Sequence, residues 1–115
     1  MVNTSRSLDA VFSALADPTR RRIIERLARG SLTVGEIASD FSISQPGISK
    51  HVRVLEESGL LQRHVLGRVH RCTLSPDAMH AASGWVDKQC RYWNAVLDRL
   101  DDILHESSNR NKRTK

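Results

Sequence analysis

A chain of 115 residues, 39% of them hydrophobic and 27% charged, has room for one globular domain around a single core, and this balance excludes a disordered chain. No apolar run approaches the roughly 20 residues that span a bilayer, and the opening MVNTSRSLDA lacks a signal-peptide core, so a cytoplasmic location without a membrane partner is expected. The net charge of +5 favours an acidic partner, and Cys72 and Cys90, which form neither a CxxC pair nor a disulfide framework, are expected to stay reduced.

Residues 1–7 are polar and are expected to be flexible. Leu8, Val11, Phe12 and Leu15 recur at helical spacing and predict a first helix ending near Ala16. Asp17-Pro18 restarts the chain, Asp as cap and Pro at the first helical position. The second helix should run to Arg29 and stop at Gly30, with Ile23, Ile24 and Leu27 buried. Its arginines are expected mostly outside, available to phosphates or solvent.

Thr33 followed three residues on by Glu36 is a capping box, which opens a third helix striped by Ile37, Ala38 and Phe41. Ser42 to Ser44 break that pattern. Ser44 then serves as N-cap and Pro46 sits in the first turn of a fourth helix, 45–58, which Gly59 closes. Ile48, Val52 and Leu55 point one way, while Gln45, Ser49, Lys50 and Arg53 point another. Two helices joined by a tight turn, the second with a polar and basic outer face, make a helix-turn-helix pattern.

Residues 61–66 and 69–74 alternate partially around Gly67-Arg68 and predict a β-hairpin. Leu61, Cys72 and Leu74 should be buried, and Arg63, His64, Arg68 and Arg71 largely in water. A hairpin directly after a helix-turn-helix is a wing, and Arg68 at its tip is placed to reach a phosphate or a minor groove.

Ser75-Pro76 begins a long last helix that should extend to about Glu106. Along it Val86, Cys90, Trp93, Leu97, Leu100 and Leu104 repeat at 4-3-4-3-4, a heptad-like seam with Trp85 and Tyr92 beside it. A domain this small cannot cover so much apolar surface. The expectation is a contact with a second copy of the chain through Leu8, Phe12 and Leu15 of the first helix and Trp85, Val86, Trp93, Leu97, Leu100 and Leu104 of the last. Residues 107–115 contain no apolar side chain and are expected to form a disordered basic tail. The fold class that follows is mainly α with a small β-hairpin, a winged helix-turn-helix in the order α-α-α-α-β-β-α. It occupies residues 8–106, with 76–106 as a dimerisation helix.

Charge is segregated along the chain. Residues 17–30 set five arginines against Asp17 and Glu25, and residues 44–74 set Lys50, Arg53, Arg63, Arg68 and Arg71 against Glu56 and Glu57, so each stretch is +3. Residues 75–106 set six acids against Lys88, Arg91 and Arg99 and are −3. A basic helix-turn-helix backed by an acidic helix is the distribution expected of a nucleic-acid face and a non-binding face.

LADPTRRRIIERL, followed by LTVGEIASDFSISQPGISKHVRVLEESGLL and then GRVHRCTLSP, resembles the ArsR-type winged-helix transcriptional regulators over roughly residues 8–104. That resemblance implies a homodimeric repressor, paired through its first and last helices, which places helix 45–58 of each subunit in a major groove. The family's metal-sensing branches differ from this chain. One carries a Cys-x-Cys pair near the recognition helix, where no cysteine lies between Met1 and Arg71 here. Another uses Asp and His ligands on the last helix. Asp77 and His80, and Asp102 and His105, are each three apart here, and no pair has that branch's full spacing. The chain resembles the metal-free branch that keeps tryptophans in the last helix, so no metal or cofactor is expected.

Affinity should come from phosphate contacts by Lys50, the amides around Ser44–Gly47 and arginines of the second helix and wing, and should weaken steeply with salt. Base preference should come from Gln45, Ser49 and Arg53, since Gln suits adenine and Arg suits guanine in a major groove. His51, at the edge of the buried stripe, is a further candidate contact, and Gly47 would allow close approach of the backbone. The partners implied are a double-stranded, inverted-repeat operator and a second copy of the chain. No inducer is legible. Two alternatives share these residues: a metal-responsive repressor of the same fold, and a protein-interaction module built on the last helix. No Gly-rich phosphate loop, nucleophile motif or convergent carboxylate pair points to an enzyme.

Overall fold

The computed structural model describes residues 4–113, with side chains described for residues 8–109. Its elements run α1 (Thr4–Leu15), α2 (Pro18–Leu27), β1 (Leu32–Thr33), α3 (Val34–Phe41), α4 (Gln45–Glu57), β2 (Leu61–Leu66), β3 (Val69–Leu74) and α5 (Pro76–Arg113). The chain divides into a first unit that ends at Ala82 and a second that begins at Ser83.

The first unit is built from short, well-capped helices. Asp17 accepts the backbone N–H of Arg20 at 3.0 Å and Pro18 takes the first turn of α2. At α3 both halves of the capping box are formed: Thr33 Oγ1 accepts from Glu36 N–H at 3.1 Å, and Glu36 Oε1 accepts from Thr33 N–H at 3.2 Å. Ser44 caps α4 by accepting from Gly47 N–H at 3.2 Å. α4 ends in a Schellman motif in which Gly59, at φ +84°, donates to Glu56 C=O, and Leu60 donates to Leu55 C=O. α3 ends in the same way, with Ile43 donating to Ala38 C=O, but a serine, Ser42, occupies the left-handed position at φ +54°.

The predicted hairpin forms with Leu61 opposite Leu74 and Leu66 opposite Val69, leaving Gly67-Arg68 as its two-residue turn. Gly67 has φ +62° and Arg68 does not have a positive φ, the sign pattern of a type II′ turn. The sheet gains a strand that periodicity does not reveal. Leu32 and Thr33 pair with Cys72 and Arg71, which gives a three-stranded antiparallel sheet in the order β1-β3-β2. Two residues are too short for an alternation to register, so the observed order is α-α-β-α-α-β-β-α.

The core lies where α1 to α4, the sheet and the first turns of α5 converge on Val11, Ile23, Ile37, Ile48, Val52, Leu55, Leu61 and Cys72. Leu61 and Cys72 are buried as expected, while Leu74 is only half-buried. Arg63 is also half-buried, drawn out of solvent by an ion pair with Glu56.

α2 ends at Leu27 and not at Arg29, and two other boundaries differ by a turn or more from those expected from the sequence. α1 starts at Thr4, within the stretch expected to be flexible, and α5 runs to Arg113 through a stretch expected to be disordered. Neither extension contains Gly or Pro, and each residue added to an existing helix closes one more backbone hydrogen bond. The remainder of both expectations, at residues 1–3 and 114–115, lies outside the described residues.

In the second unit, from Ser83 onward, α5 carries Trp93, Leu97, Leu100, Ile103 and Leu104 exposed, from 49% for Leu100 to 60% for Leu104. His105 Nδ1 lies 2.9 Å from Asp101 C=O, one turn back along the helix. No helix among the described residues is long and apolar enough to cross a membrane.

Candidate nucleic-acid interface

The amphipathic division of α4 is fully realised. Ile48, Val52 and Leu55 are 0% exposed, whereas Gln45, Lys50 and Arg53 face solvent and Ser49 is half-buried. Beside this outer face, the start of α3 and the wing enclose a cleft of about 450 Å³. Gln45 and Ser49 line it from α4, Thr33 and Gly35 from the start of α3, and Arg63, Arg68 and His70 from the hairpin. Gln45 leans over Gly35 so closely that a Cβ there would sit 3.3 Å from Gln45 Nε2. Of the candidate contacts, the structure therefore groups Gln45, Ser49 and Arg68 around one concavity. Lys50 and Arg53 are exposed along the same helix, outside its lining.

The wing is tied to α4 by Arg63 Nη2, which donates to Glu56 Oε1 at 2.6 Å. This bond holds the Glu56 carboxyl below the usual carboxylate range and raises the Arg63 guanidinium. Behind it, burial pushes the Cys72 thiol up, away from thiolate reactivity. His70 Nδ1, in the wall of the cleft, is buried without a hydrogen-bond partner among the described residues.

Gly47, His51 and the arginines of α2 all have partners within the fold; those of Gly47 are local, and those of His51 and the arginine side chains come from other elements. Gly47 is a packing residue: a Cβ there would lie 3.0 Å from Ile43 Cγ2 and 3.2 Å from Ser44 Oγ. Its N–H is also taken by Ser44, and Pro46 has none, so two of the amides expected to face a phosphate are not available. His51 turns toward α2, its Nδ1 3.4 Å from Arg20 Nη1 and 3.9 Å from Asp17 Oδ2. The arginines of α2 are likewise engaged. Arg20 and Arg21 donate to carbonyls at the end of α1, Arg22 stacks 4.6 Å from the Phe41 ring centroid, and Arg26 pairs with Asp40 at 2.6 Å. The link from Asp17 and Arg20 to His51 could not be found from spacing, since 31 positions separate Arg20 from His51.

Among the described residues, no three His, Cys, Asp or Glu side chains come together to hold a metal ion. His105 sits over Asp101, with Asp101 Oδ1 3.7 Å from its Nδ1. The arrangement suits the recognition of a long polyanion with an edge to read: cations on the outer face, polar readers along a helix, and an arginine on a projecting turn.

Comparison with known proteins agrees with this geometry. Residues 15–64 match a family model described as a helix-turn-helix domain. The chain is 40% identical over 103 residues to the HTH-type transcriptional regulator Rv2034 of Mycobacterium tuberculosis, covering 90% of this chain and 94% of that protein. It is 34% identical over 79 residues to the transcriptional repressor SdpR of Bacillus subtilis, covering 69% and 88% respectively. A crystal structure of an ArsR family transcriptional regulator superposes with a TM-score of 0.74 at 38% identity, covering 82% of this chain and 97% of that one.

Proposed function

Since the chain belongs to the ArsR family of helix-turn-helix transcriptional regulators, we propose that it acts as a homodimeric, cytoplasmic and non-catalytic repressor that reads an inverted-repeat operator. The observation that carries this reading is the cleft shared by Gln45 and Ser49 of α4 and Arg68 of the wing. α4 enters the major groove and reads bases through Gln45, Ser49 and Arg53. Lys50 and Ser44 meet the phosphates beside it, and Arg68 carries the wing toward the neighbouring minor groove. Repression is the activity in the name of the SdpR relative.

Self-association is supported by the exposed seam of α5, where Trp93, Leu97, Leu100 and Leu104 repeat at heptad-like spacing. Trp85 and Val86 of α5, and separately Leu8, Phe12 and Leu15 of α1, are the further residues proposed to meet the second copy. Half-sites then lie about one helical turn of DNA apart, ~10–10.5 bp, or a multiple of it.

A mobility-shift titration of the full chain against its own upstream DNA, with and without chelator, tests this reading. Sequence-specific retardation that falls steeply with salt and is unchanged by chelator supports it. Retardation lost on chelation would replace it with a metal-responsive repressor. No specific retardation at low salt would leave the long helix as a protein-interaction module.

A further inference from the structure

The arginine of the Asp17-Pro-Thr-Arg20 stretch joins three helices. Its backbone N–H donates to Asp17 Oδ2 at 3.0 Å, within the α2 cap. Its guanidinium reaches outward in two directions. Nε donates to Ala14 C=O at 2.7 Å and Nη2 to Ser13 C=O at 3.2 Å, two carbonyls in the last turn of α1, the second of which also accepts from Ala16 N–H at 3.2 Å. Nη1 lies 3.4 Å from His51 Nδ1 on α4. The same α1 that Arg20 grips buries Val11 and Ala14 in the core and carries Leu8, Phe12 and Leu15 on the proposed dimer face. The same α4 that His51 belongs to carries Ser49 and Arg53, two positions to either side of His51.

We propose that Arg20 and His51 couple self-association to DNA reading, with Arg20 as a positioning residue that transmits the placement of α1 to the recognition helix. The inference rests on the proposed dimer face and on α4 as the reading helix. A planar guanidinium with its donors in a fixed fork sets the distance between the α1 carbonyls and the imidazole. When α1 is fixed by a second copy, α4 is held in one setting, and when α1 is free the setting relaxes. Such coupling is reciprocal: operator binding must tighten the dimer by the factor by which dimerisation tightens operator binding. It also assigns His51 an indirect role in place of the direct DNA contact expected from its position.

The test uses the full chain in four forms besides the wild type: His51→Gln, which keeps an acceptor, His51→Leu, which does not, Arg20→Lys, and the Arg20→Lys/His51→Leu double variant. Two quantities are read, the preference for operator over unrelated duplex and the dimer constant by sedimentation with and without operator. His51→Leu and Arg20→Lys should each lower operator preference by ~5–150-fold, the ordinary span of coupling factors, and should abolish the tightening of the dimer by operator. Affinity for unrelated duplex and its salt slope should not change. The double variant should be no worse than either single one, because both break one connection. His51→Gln should restore most of the preference. Additive losses, unchanged preference, or His51→Gln as poor as His51→Leu would overturn the coupling. If Arg20→Lys does not fold, the two His51 variants still decide it. The underlying dimer reading is tested separately by Leu8→Ser with Leu100→Ser. If that pair leaves the dimer constant untouched, the dimer face is wrong whatever Arg20 does. If it dissociates the dimer while the His51 variants keep full preference, the coupling alone fails.

Discussion

α4 and α5 open alike, each with a serine just before it and a proline in its first turn, and each repeats apolar residues at helical spacing. Their outcomes are opposite. The three apolar side chains of α4 are 0% exposed, while along the second unit of α5 Leu97 is 54% exposed and Trp93 59%. An isolated helix owes little of its stability to propensity, so an exposed apolar face of this kind is a surface that a second chain would stabilise by covering it. In α4 the amphipathic pattern is satisfied within the fold and leaves its polar face free to read. In α5 the pattern stays exposed and is the surface proposed for a second copy. Identical periodicity thus accompanies the core in one helix and an exposed face, the proposed interface, in the other, and only burial distinguishes them.

The largest effect should separate these two roles. Leu55→Ala removes a fully buried side chain from the core and should destabilise the fold by about 2–5 kcal/mol in equilibrium denaturation, independently of protein concentration. Leu100→Ala should act chiefly on association. It should weaken the dimer by about 1.5–3 kcal/mol, roughly 10- to 150-fold in dissociation constant, as read by sedimentation equilibrium. Equal concentration-independent losses in both variants would dissolve the distinction between the helices.

The outer face of α4 can be divided in the same manner. Arg53→Ala should lower discrimination between operator and single-base variants by about 1–3 kcal/mol. Lys50→Ala should weaken all duplexes alike and reduce the slope of log affinity against log salt by about 1. Unchanged discrimination for the first, or an unchanged slope for the second, would remove the assigned role.

A smaller effect should come from the tie between α4 and the wing. Glu56 has a depressed pKa in the folded chain, so its bond to Arg63 contributes in full above the unfolded carboxylate value, roughly pH 4.3, and is lost as pH falls through the lower folded value. Because the Glu56 side chain is 37% exposed, solvent screening limits the contribution to about 0.2–1 kcal/mol. Glu56→Gln should remove that much stability at pH 7 and flatten the decline below about pH 4, measured by urea denaturation at each pH. A variant with the wild-type acid limb would deny the pair its part.

How far the chain could be read without its structure follows from the range of the physics. Caps, breakers and periods act over a few residues, and they located the helices, the hairpin and its turn, as well as the division of α4 into Ile48, Val52 and Leu55 against Gln45, Lys50 and Arg53. Leu32 and Thr33 escaped because a two-residue strand owes its existence to Cys72 and Arg71, far along the chain. Ile43 lies one helical turn from Gly47, whereas His51 has a partner within the fold that spacing cannot reveal, Arg20, 31 positions away. The α2 arginines looked free for the same reason. The apolar and polar faces of single helices were readable, and the polar ties between distant elements were not.

An effect of similarly small size concerns how the two helices of the motif end. Both α3 and α4 close with a residue in the left-handed region, but Gly59 fills that position after α4 and Ser42 after α3. A side chain with a Cβ costs about 1–2 kcal/mol there, whereas glycine does not, and glycine offsets part of the gain through its greater freedom in the unfolded chain. Ser42→Gly should therefore stabilise the fold by about 0.5–1 kcal/mol, while Gly59→Ser should destabilise it by a similar amount, both read as shifts in denaturation midpoint at constant slope. Ser42 is exposed and donates to the Ser39 and Ala38 carbonyls through its backbone, so the substitution leaves those bonds in place. If Ser42→Gly loosens the turn instead, thermal stability will fall and operator preference with it, and the serine must then stiffen the entry into the reading helix.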